Sequence, residues 1–300
     1  MPGDRALDAA GPIGLVGLGL VGSALARRLV AGGFDVIGYD LREEARAALR
    51  SSGIRTVDSP RDIGSACATV VLAVFDTRGV IDATEGPLGL IAGGAVRRLV
   101  DCSTGDPDLL ESLAKRLATQ GVELVEAPLS GSSSQIAAGD ATMLIGGDEA
   151  AVRASDPVLA ALSSRRIRVG GAGMGARAKL ATNLVLGLNR AALAEGMVLA
   201  ESIGIAPAQF LELVLATPAR SDAALAKGAM MVAGDFAPQS RIRQHLKDVD
   251  LMLDSSRSTG QRLPLSETHA ALMRAAVAAG DGDLDNAAIL RQLRRERHKD

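Results

Sequence analysis

Aromatic residues and cysteines are scarce in this 300-residue sequence. It has no Trp, one Tyr and four Phe, and its two cysteines are Cys67 and Cys102. Proteins that read single-stranded nucleic acids stack bases on aromatic rings, so the composition argues against that function. Two cysteines without paired spacing form neither a disulfide framework nor a zinc motif, and they fit a reducing compartment. We therefore expect a cytoplasmic protein that does not bind nucleic acid.

The sequence also lacks a strong excess of charge of either sign. It has 33 Lys and Arg residues against 35 Asp and Glu residues, a formal net charge of −2 at pH 7, which argues against a polyanionic partner. The three histidines, His245, His269 and His298, do not have metal-ligand spacing, so we predict no metal site. Hydrophobic residues make up 47% of the chain, and the length predicts about two domains.

An uncharged segment near the N-terminus, residues 9–26, predicts neither a signal peptide nor a membrane span. Asp4, Arg5 and Asp8 precede it, whereas a secretory signal peptide needs positive charge there. The segment also contains five glycines and Pro12, which do not suit a spanning helix. We interpret residues 1–11 as a flexible tail and expect no membrane attachment.

The first half of the chain alternates short apolar runs with helix-like segments, the pattern of a parallel sheet with crossover helices. The predicted strands are residues 13–16, 36–39, 54–57, 69–74, 98–101, 124–127, 142–145 and 166–169. The predicted helices are residues 21–31, 43–51, 108–120 and 149–162. This half is therefore predicted to be an α/β domain.

Beyond the glycine cluster at residues 170–175, every pattern is helical. Residues 176–203 contain no Pro and end before Gly204, which predicts one helix about 40 Å long. Further helices are predicted at residues 207–216, 222–232, 241–256, 264–279 and 286–297. The predicted architecture is an α/β domain, residues 1–172, joined by a long interdomain helix to an all-α domain, residues 173–300.

A glycine-rich turn follows the first predicted strand and opens the first predicted helix. The sequence Gly17-Leu18-Gly19-Leu20-Val21-Gly22 has the spacing of the dinucleotide-binding turn of a Rossmann-type domain. Gly17 permits a tight turn, Gly19 lets the backbone approach a pyrophosphate, and Gly22 allows close helix packing. An ordinary strand-to-helix turn is the alternative. We predict that all six residues contact a nicotinamide dinucleotide.

Asp40 supports this interpretation and bears on which coenzyme is used. It ends the second predicted strand eighteen residues after Gly22, where a carboxylate hydrogen-bonds the adenosine ribose hydroxyls. A helix cap is its alternative role. A carboxylate there repels the 2′-phosphate of NADP, so we expect NAD. Arg42 could neutralise that phosphate, which leaves NADP as the alternative.

Four segments together resemble the β-hydroxyacid dehydrogenase family, which includes 3-hydroxyisobutyrate dehydrogenases and semialdehyde reductases. They are GLVGLGLVG at 14–22, EAPLSGSSSQIAAGD at 126–140, GMGARAKLATN at 173–183 and HLKDVDLML at 245–253. The segments stand in the family's order and span most of the chain. A long helix followed by an all-helical C-terminal domain is also similar to that family.

Lys179 and Asn183 are the predicted catalytic residues. Four residues apart on a helix, they project from the same face, in an otherwise apolar stretch. In a partly desolvated cleft the ammonium form of a lysine is disfavoured, which lowers its pKa toward the range useful for proton transfer. A lysine that extends to solvent is the alternative for Lys179 alone. The resemblance implies that Lys179 exchanges the proton of the substrate hydroxyl while Asn183 positions that lysine and the substrate.

Three small residues after a predicted strand are expected to bind the substrate. Ser130, Gly131 and Ser132 begin the predicted loop SGSSSQIAAG, in which backbone N–H groups and hydroxyls can hold an anion. Ordinary loop residues are the alternative. The resemblance implies that this loop binds the acid group of the substrate. Ser132 stands where a third glycine often follows, as in the semialdehyde reductase branch, which favours a small aldehyde acid.

Lys247 and Asp248 are expected to contact the substrate, and Lys247 also the coenzyme. The resemblance places this pair at the far wall of the active-site cleft; otherwise neighbouring Lys and Asp residues on a helix are solvated surface charges. Ser240, flanked by Arg241 and Arg243, stands where the family commonly has an apolar or aromatic residue. A more polar pocket follows, suited to extra hydroxyl or anionic groups.

Two further strand ends are expected to line the coenzyme crevice, because ligands of open α/β folds bind at the carboxyl edge of the sheet. Val74, Phe75 and Asp76 end one predicted strand, and Ser103 and Thr104 follow another. The resemblance implies that the second loop lies near the nicotinamide ribose.

The sequence thus predicts an NAD(P)-dependent enzyme that interconverts a small β-hydroxy acid and its semialdehyde or keto acid. Imine reductases share the fold but generally lack a lysine at the position of Lys179. A non-catalytic nucleotide-binding module is a further alternative, against which the presence of Lys179, Asn183 and Ser130 argues. The resemblance implies a homodimer or homotetramer.

Overall fold

The computed structural model describes residues 11–296. The tail predicted for residues 1–11 therefore lies outside the described residues, apart from Gly11. The chain falls into two compact units that divide between Lys179 and Leu180. Over the described residues, no helix has both the length and the apolar character needed to cross a membrane.

The first unit is built around a sheet of nine described strands. They are β1 (Ile13–Val16), β2 (Val36–Tyr39), β3 (Arg55–Thr56), β4 (Thr69–Leu72), β5 (Arg98–Asp101), β6 (Glu123–Glu126), β7 (Leu129–Ser130), β8 (Thr142–Gly146) and β9 (Arg165–Gly170). Six of them run parallel in the order β3-β2-β1-β4-β5-β6. The order changes direction between β1 and β4, which is where ligands of such sheets bind, beyond the carboxyl ends of the strands.

The remaining strands extend the sheet beyond β6. Strand β8 is antiparallel to β6 and β7 and parallel to β9. Among the described strands β9 pairs with β8 alone, so its outer side is an edge of the sheet. Arg165, Arg166, Ile167 and Arg168 are exposed on this strand, and Arg166 pairs with Asp156. Three arginines therefore mark this edge.

Helices connect the strands of the first unit. They are α1 (Leu20–Ala31), α2 (Glu43–Ser51), α3 (Pro60–Ala66), α4 (Thr77–Glu85), α5 (Pro107–Ala118), α6 (Ser133–Ala138), α7 (Glu149–Ala154) and α8 (Asp156–Leu162). The single helix predicted for residues 149–162 is wrong, because Ser155 separates α7 from α8. Pro157 lies in the first turn of α8, and its missing N–H would break a continuous helix.

Three of these helices, α3, α4 and α6, were not predicted, and each begins at a side-chain cap. The capping residues are Ser59, Asp76 and Ser132. The loop predicted after Ser130 is therefore largely helix α6. A cap satisfies N–H groups of the first turn and makes even a short helix stable against the sheet.

Both faces of the parallel strands β1, β2, β4, β5 and β6 are buried, as expected for strands covered by helices. Successive residues of a strand point to opposite faces, and Leu15 and Val16 accordingly join two different apolar clusters. Leu25 and Leu29 of α1 cover one face, and Leu113 of α5 covers the other. The predicted α/β domain is confirmed.

The second unit contains only helices among its described elements, as predicted. Helix α9 (Met174–Ser202) runs into it from the first unit, and α10 (Pro207–Ala216), α11 (Asp222–Ala233), α12 (Ile242–Ser258), α13 (Pro264–Ala278) and α14 (Ile289–Arg295) follow. Met197, Met231, Met252 and Met273 lie in its apolar core. The flexible, unbranched methionine side chain fits the irregular gaps between crossing helices.

A buried carboxylate, Asp285, joins three segments of the second unit. Its Oδ2 accepts hydrogen bonds from Lys227 Nζ at 2.9 Å and from the backbone N–H groups of Gln239 and Ser240 at 2.9 and 3.1 Å. Its Oδ1 accepts the N–H of Ala287 at 3.0 Å. Burial lowers the pKa of Lys227, and the hydrogen bond to Asp285 opposes that shift. The charged form of Lys227 is therefore stabilised by the carboxylate of Asp285.

We predict that Asp285→Ala lowers the free energy of unfolding by about 3–5 kcal/mol, because it leaves the buried Lys227 ammonium without its counter-charge. Urea unfolding followed by circular dichroism measures this loss. Asp283→Ala is the matched control, since its exposed carboxylate pairs with Arg243 and an exposed pair contributes less than about 1 kcal/mol. Equal losses in the two variants would contradict the prediction.

Candidate active site

In the glycine turn after β1, Gly17 and Gly22 leave no space for a Cβ atom. Gly17 has φ +92°, and a Cβ there would lie 2.3 Å from the carbonyl oxygen of Ala73. A Cβ on Gly22 would lie 1.8 Å from the carbonyl oxygen of Gly17. Above Gly19, in contrast, the nearest atom to such a Cβ is a guanidinium nitrogen of Arg42 at 3.9 Å. The turn is closed on its inner side and open at Gly19, as the approach of a pyrophosphate requires.

Asp40 lies directly after β2 and holds this turn from one side. Its Oδ2 accepts the N–H of Leu18 at 2.7 Å, and its Oδ1 accepts the N–H of Arg42 at 2.9 Å. The side chain of Arg42 also donates to both oxygens, at 3.1 and 3.3 Å. Burial raises the pKa of Asp40, but the bonds from Arg42 and Leu18 outweigh it and lower the pKa overall. Asp40 is thus an oriented, ionised carboxylate beside the glycine turn.

Arg46 is a second cation beside Asp40, and no motif in the sequence points to it. Its guanidinium donates to the carbonyl oxygen of Asp40 at 2.6 Å and lies 5.8 Å from the centre of the Tyr39 ring. It also pairs with Glu43 at 2.6 Å. Helical spacing on α2 brings it back over the end of β2. It fixes the backbone that carries Asp40.

The structure brings together two of the predicted strand ends. Val74 follows β4, and its N–H donates to Ser103 Oγ, beyond β5, at 3.0 Å. Ser103 is buried, and its own N–H donates to Asp101. The carboxylate of Asp76 accepts the N–H of Gly79 at 2.8 Å and caps α4, whereas Phe75 is exposed. Together with Thr104, these residues lie after neighbouring strands, at the same sheet edge as the glycine turn.

The predicted carboxylate-binding residues are at the end of β7 and the start of α6. Ser130 pairs with Thr142 of β8, and a Cβ on Gly131 would lie 2.8 Å from that of Ala141. Ser132 forms a capping box, in which its N–H donates to Gln135 Oε1 at 2.8 Å and its Oγ accepts the N–H of Gln135 at 3.3 Å. The hydroxyl of Ser132 therefore has a structural partner within α6.

Lys179 and Asn183 lie four residues apart on α9, and both are only 6% exposed. Burial of a lysine to this degree is uncommon. Lys179 is the last residue of the first unit and Asn183 belongs to the second. The interpretation of Lys179 as a lysine extending to solvent is therefore wrong.

Asn183, Lys247 and Asp248 form one cluster within the second unit. Asn183 Nδ2 donates to Asp248 Oδ2 at 3.1 Å, and Lys247 Nζ lies 3.0 Å from Asp248 Oδ1. Asp248 is 5% exposed. Lys247 and Asp248 are therefore not a solvated surface pair. The carboxylate of Asp248 accepts a hydrogen bond from the amide nitrogen of Asn183. This contact also fixes the direction in which the amide oxygen of Asn183 points.

A group of polar residues behind this cluster was not identified from the sequence. The rings of His245 and His269 lie 5.4 Å apart, and a Cβ on Gly187 would lie 2.4 Å from His245 Nε2. Arg190 is buried one turn further along α9. Burial, with a contribution from Arg190, lowers the pKa of His269 to about 4, so this ring is neutral at pH 7. Gly187 and Arg190 follow Asn183 at helical spacing on α9, whereas the two histidines lie on α12 and α13.

The cysteines are not nucleophiles. Both are buried, and burial raises the pKa of Cys67 to about 11 and that of Cys102 further. Thiols with such pKa values are protonated at neutral pH. Between residues 11 and 296, no three His, Cys, Asp or Glu side chains are grouped as metal ligands. His298 lies outside the described residues, and the predicted lack of a metal site stays a prediction.

Two family models together cover most of the chain. Residues 12–171 match the model described as the NAD binding domain of 6-phosphogluconate dehydrogenase. Residues 173–293 match the model described as the NAD-binding of NADP-dependent 3-hydroxyisobutyrate dehydrogenase. The residues of the glycine turn and Asp40 fall in the first match, and Lys179, Asn183, Lys247 and Asp248 fall in the second.

Characterised relatives match over nearly their whole length. L-threonate dehydrogenase of Cupriavidus necator is 31% identical over 93% of this chain and 95% of that protein. 2-(Hydroxymethyl)glutarate dehydrogenase of Eubacterium barkeri is 30% identical over 93% of each. The crystal structure of 3-hydroxyisobutyrate dehydrogenase from Salmonella typhimurium superposes with a TM-score of 0.85 at 27% identity, covering 94% of this chain and 99% of that one.

We predict that Gly22→Ala weakens binding of the reduced nicotinamide dinucleotide by at least about tenfold, because its Cβ cannot fit against Gly17 without opening the turn. Titration of the fluorescence of the reduced nicotinamide measures the Kd. Gly171→Ala is the control, since a Cβ there meets nothing within 4 Å. Unchanged affinity in Gly22→Ala would show that the turn does not hold the coenzyme.

Proposed function

The chain belongs to the β-hydroxyacid dehydrogenase family and is an NAD(P)-dependent hydroxyacid dehydrogenase, and from this premise we propose that it uses NAD and Lys179 to interconvert a small β-hydroxy acid and its semialdehyde or keto acid. The burial of Lys179 carries the proposal. The 6% exposure of Lys179, equal to that of Asn183, supports a role in proton transfer over one in solubility.

The glycine turn and Asp40 fit the coenzyme. Gly17 to Gly22 offer an open backbone at Gly19 and a tight turn beneath it, and Asp40 is ionised and oriented to accept bonds from ribose hydroxyls. Val74, Phe75, Asp76, Ser103, Thr104 and Lys247 are proposed as further coenzyme contacts. When bound, the nicotinamide supplies the hydride acceptor or donor.

The protein's own residues handle the proton and the substrate. Lys179 takes the proton from the substrate hydroxyl in oxidation and returns it to the carbonyl oxygen in reduction. Asn183, oriented by Asp248, hydrogen-bonds the same substrate oxygen and limits its rotation. Ser130, Gly131 and Ser132 hold the substrate carboxylate, with Lys247 and Asp248 as further contacts.

We propose NAD as the preferred coenzyme because of the pairing around Asp40. Its carboxylate would repel a 2′-phosphate. The only side chain that donates to both its oxygens, among the described residues, is Arg42, whose guanidinium is turned toward the carboxylate at 3.1 and 3.3 Å. Because Arg42 is paired with Asp40, it is less able to bind the 2′-phosphate of NADP.

The proposed substrate is a short hydroxy acid with a further hydroxyl group, or its semialdehyde. L-threonate, named for one relative, is such a compound. The resemblance places Ser240 at the substrate pocket, flanked by Arg241 and Arg243. Both arginines face the single carboxylate of Asp283, at 3.8 and 2.8 Å, which compensates one of their two positive charges. The charge that remains beside Ser240 suits a further hydroxyl or an anionic group of the substrate.

We also propose a cytoplasmic homodimer or homotetramer, with the functional division of the chain at residue 172. Val185, Leu199 and Ile203 are 56%, 60% and 65% exposed. Val185 and Leu199 lie on one face of α9, and Ile203 directly follows its last residue, so that a second subunit would cover all three.

We predict that Lys179→Ala lowers kcat by about 10²-fold or more with little change in coenzyme affinity, because it removes the proton-transfer group but not the glycine turn. Steady-state kinetics and fluorescence titration measure the two quantities. Lys115→Ala, at an exposed lysine of α5, is the control. A Lys179→Ala enzyme with full kcat would refute the proposed role.

We predict that a panel of short hydroxy acids and semialdehydes shows turnover with at least about tenfold higher kcat/KM for NAD than for NADP. L-threonate, 3-hydroxyisobutyrate and 2-(hydroxymethyl)glutarate belong in the panel, and absorbance of the reduced nicotinamide reports the rate. Asp40→Ala should remove most of the preference, whereas Asp58→Ala, at an exposed carboxylate, should keep it.

The low pKa of Asp40 sets the pH dependence of this preference. The carboxylate is ionised at and below neutral pH, so the ratio for NAD over NADP should be constant between about pH 7 and about pH 9, where the 2′-phosphate of NADP is also fully ionised. A preference for NADP in the wild type, or an unchanged ratio in Asp40→Ala, would overturn the assignment.

A further inference from the structure

Helix α9 has no capping side chain of its own. It begins at Met174, the residue before it is Gly173, and its first turn contains no acidic residue. The first N–H groups of a helix have no partner within the helix. At 29 residues, α9 is the longest of the described helices and the one that carries Lys179.

Glu126, the last residue of β6, supplies the missing cap. Its Oε1 accepts the N–H of Gly173, and its Oε2 accepts the N–H of Ala176 at 2.8 Å. The side chain is 2% exposed. One buried carboxylate from the sheet therefore binds the backbone on both sides of the start of α9.

The helix packs directly on the backbone of the sheet at this point. A Cβ on Gly175 would lie 2.8 Å from Glu126 Cβ, and a Cβ on Gly146 of β8 would lie 2.5 Å from the N of Gly175. Neither position has space for a side chain. The first turn of α9 is thus held at close contact and cannot slide along the sheet.

The charges around Glu126 are consistent with a cap. Burial raises the pKa of Glu126 overall, although the N–H bonds from Ala176 and Gly173 and the charge of Arg177 oppose that shift. Both carboxyl oxygens accept a backbone N–H, which is the arrangement of a helix cap. Arg177 also pairs with Asp108 at 2.7 Å and Glu111 at 3.3 Å on α5, a second link between this turn and the rest of the first unit.

Glu126 is at the same sheet edge as the glycine turn. Strands β1, β4, β5 and β6 are neighbours and run parallel, so their carboxyl ends share one edge. Three strand spacings separate β1 from β6, about 14 Å. Lys179 follows Ala176 by three residues, a rise of about 4.5 Å along the helix.

We propose that Glu126 is a positioning residue, which fixes the start of α9 on the sheet edge and thereby sets the position of Lys179 relative to the coenzyme turn. The inference rests on the proposed role of Lys179. It assigns to Glu126 more than stability, because displacement of a reacting group by about 1 Å can cost about 10²-fold in rate.

Three variants test the proposal. Glu126→Gln keeps the size of the side chain but replaces one acceptor oxygen by an amide that faces an N–H donor. Glu126→Asp keeps the charge and shortens the reach by one methylene. Asp148→Asn is the control, because Asp148 caps α7 with bonds from two N–H groups, at 2.8 and 3.3 Å, and α7 carries none of the proposed site residues.

We expect Glu126→Gln to lower kcat by about tenfold or more, with the Kd for the reduced coenzyme within about twofold of wild type. Amide hydrogen exchange of a peptide covering residues 173–183 should become faster. Glu126→Asp should be intermediate in both measurements. Asp148→Asn, at an exposed cap position where Asn serves about as well as Asp, should keep wild-type kcat and nearly wild-type thermal stability.

A Glu126→Gln enzyme with wild-type kcat would overturn the proposal, as would an equal loss of kcat in Asp148→Asn. Should Glu126→Gln not fold, Glu126→Asp decides: reduced kcat with unchanged Kd supports positioning, and wild-type kcat refutes it. Full activity in Lys179→Ala refutes the proposed function instead. If Lys179→Ala loses activity and both Glu126 variants keep it, the positioning role of Glu126 is refuted and the proposed function stands.

Discussion

Buried carboxylates that accept backbone N–H groups hold the carboxyl edge of the sheet in place. Asp40, after β2, binds Leu18 in the glycine turn, and Glu126, at the end of β6, binds Gly173 and Ala176 at the start of α9. A carboxylate has several acceptor positions, and a buried N–H group without an acceptor costs about 1–3 kcal/mol. Each acid therefore ties a segment distant in sequence to a strand end, and the coenzyme turn and the helix of Lys179 are both fixed to one rigid sheet.

The second unit uses the same kind of contact for different purposes. Asp285 accepts hydrogen bonds from Lys227 and from the backbone at Ser240, and these contacts stabilise the fold. Asp248 accepts the amide of Asn183, which is a matter of orientation. In both cases a charged group is buried with its partners, since a buried charge is stable only when it is paired and hydrogen-bonded. Packing around these acids limits how far either segment can move.

The sequence predicted the architecture well where the pattern is local. Strand β1 and strand β2 have the predicted bounds, because each is a short apolar run between turn residues. The prediction of one helix across residue 155 is wrong, because Pro157 lacks the N–H that a continuous helix needs there, although the apolar spacing is helical. Within the site, the position of Asp40 after β2 followed from spacing alone. The cap formed by Glu126 could not be predicted, since it depends on β6 lying beside the start of α9, and that neighbourhood is a property of the folded sheet and not of either segment.

The three arginines of β9 have a consequence for the behaviour of the protein in concentrated solution. Strand β9 ends the sheet with backbone groups that a strand from another molecule could pair with. Arg165 and Arg168 project from this strand into solvent, whereas Arg166 pairs with Asp156. A second copy approaching edge to edge would bring the charges of Arg165 and Arg168 close to their counterparts, and this repulsion opposes aggregation through the edge.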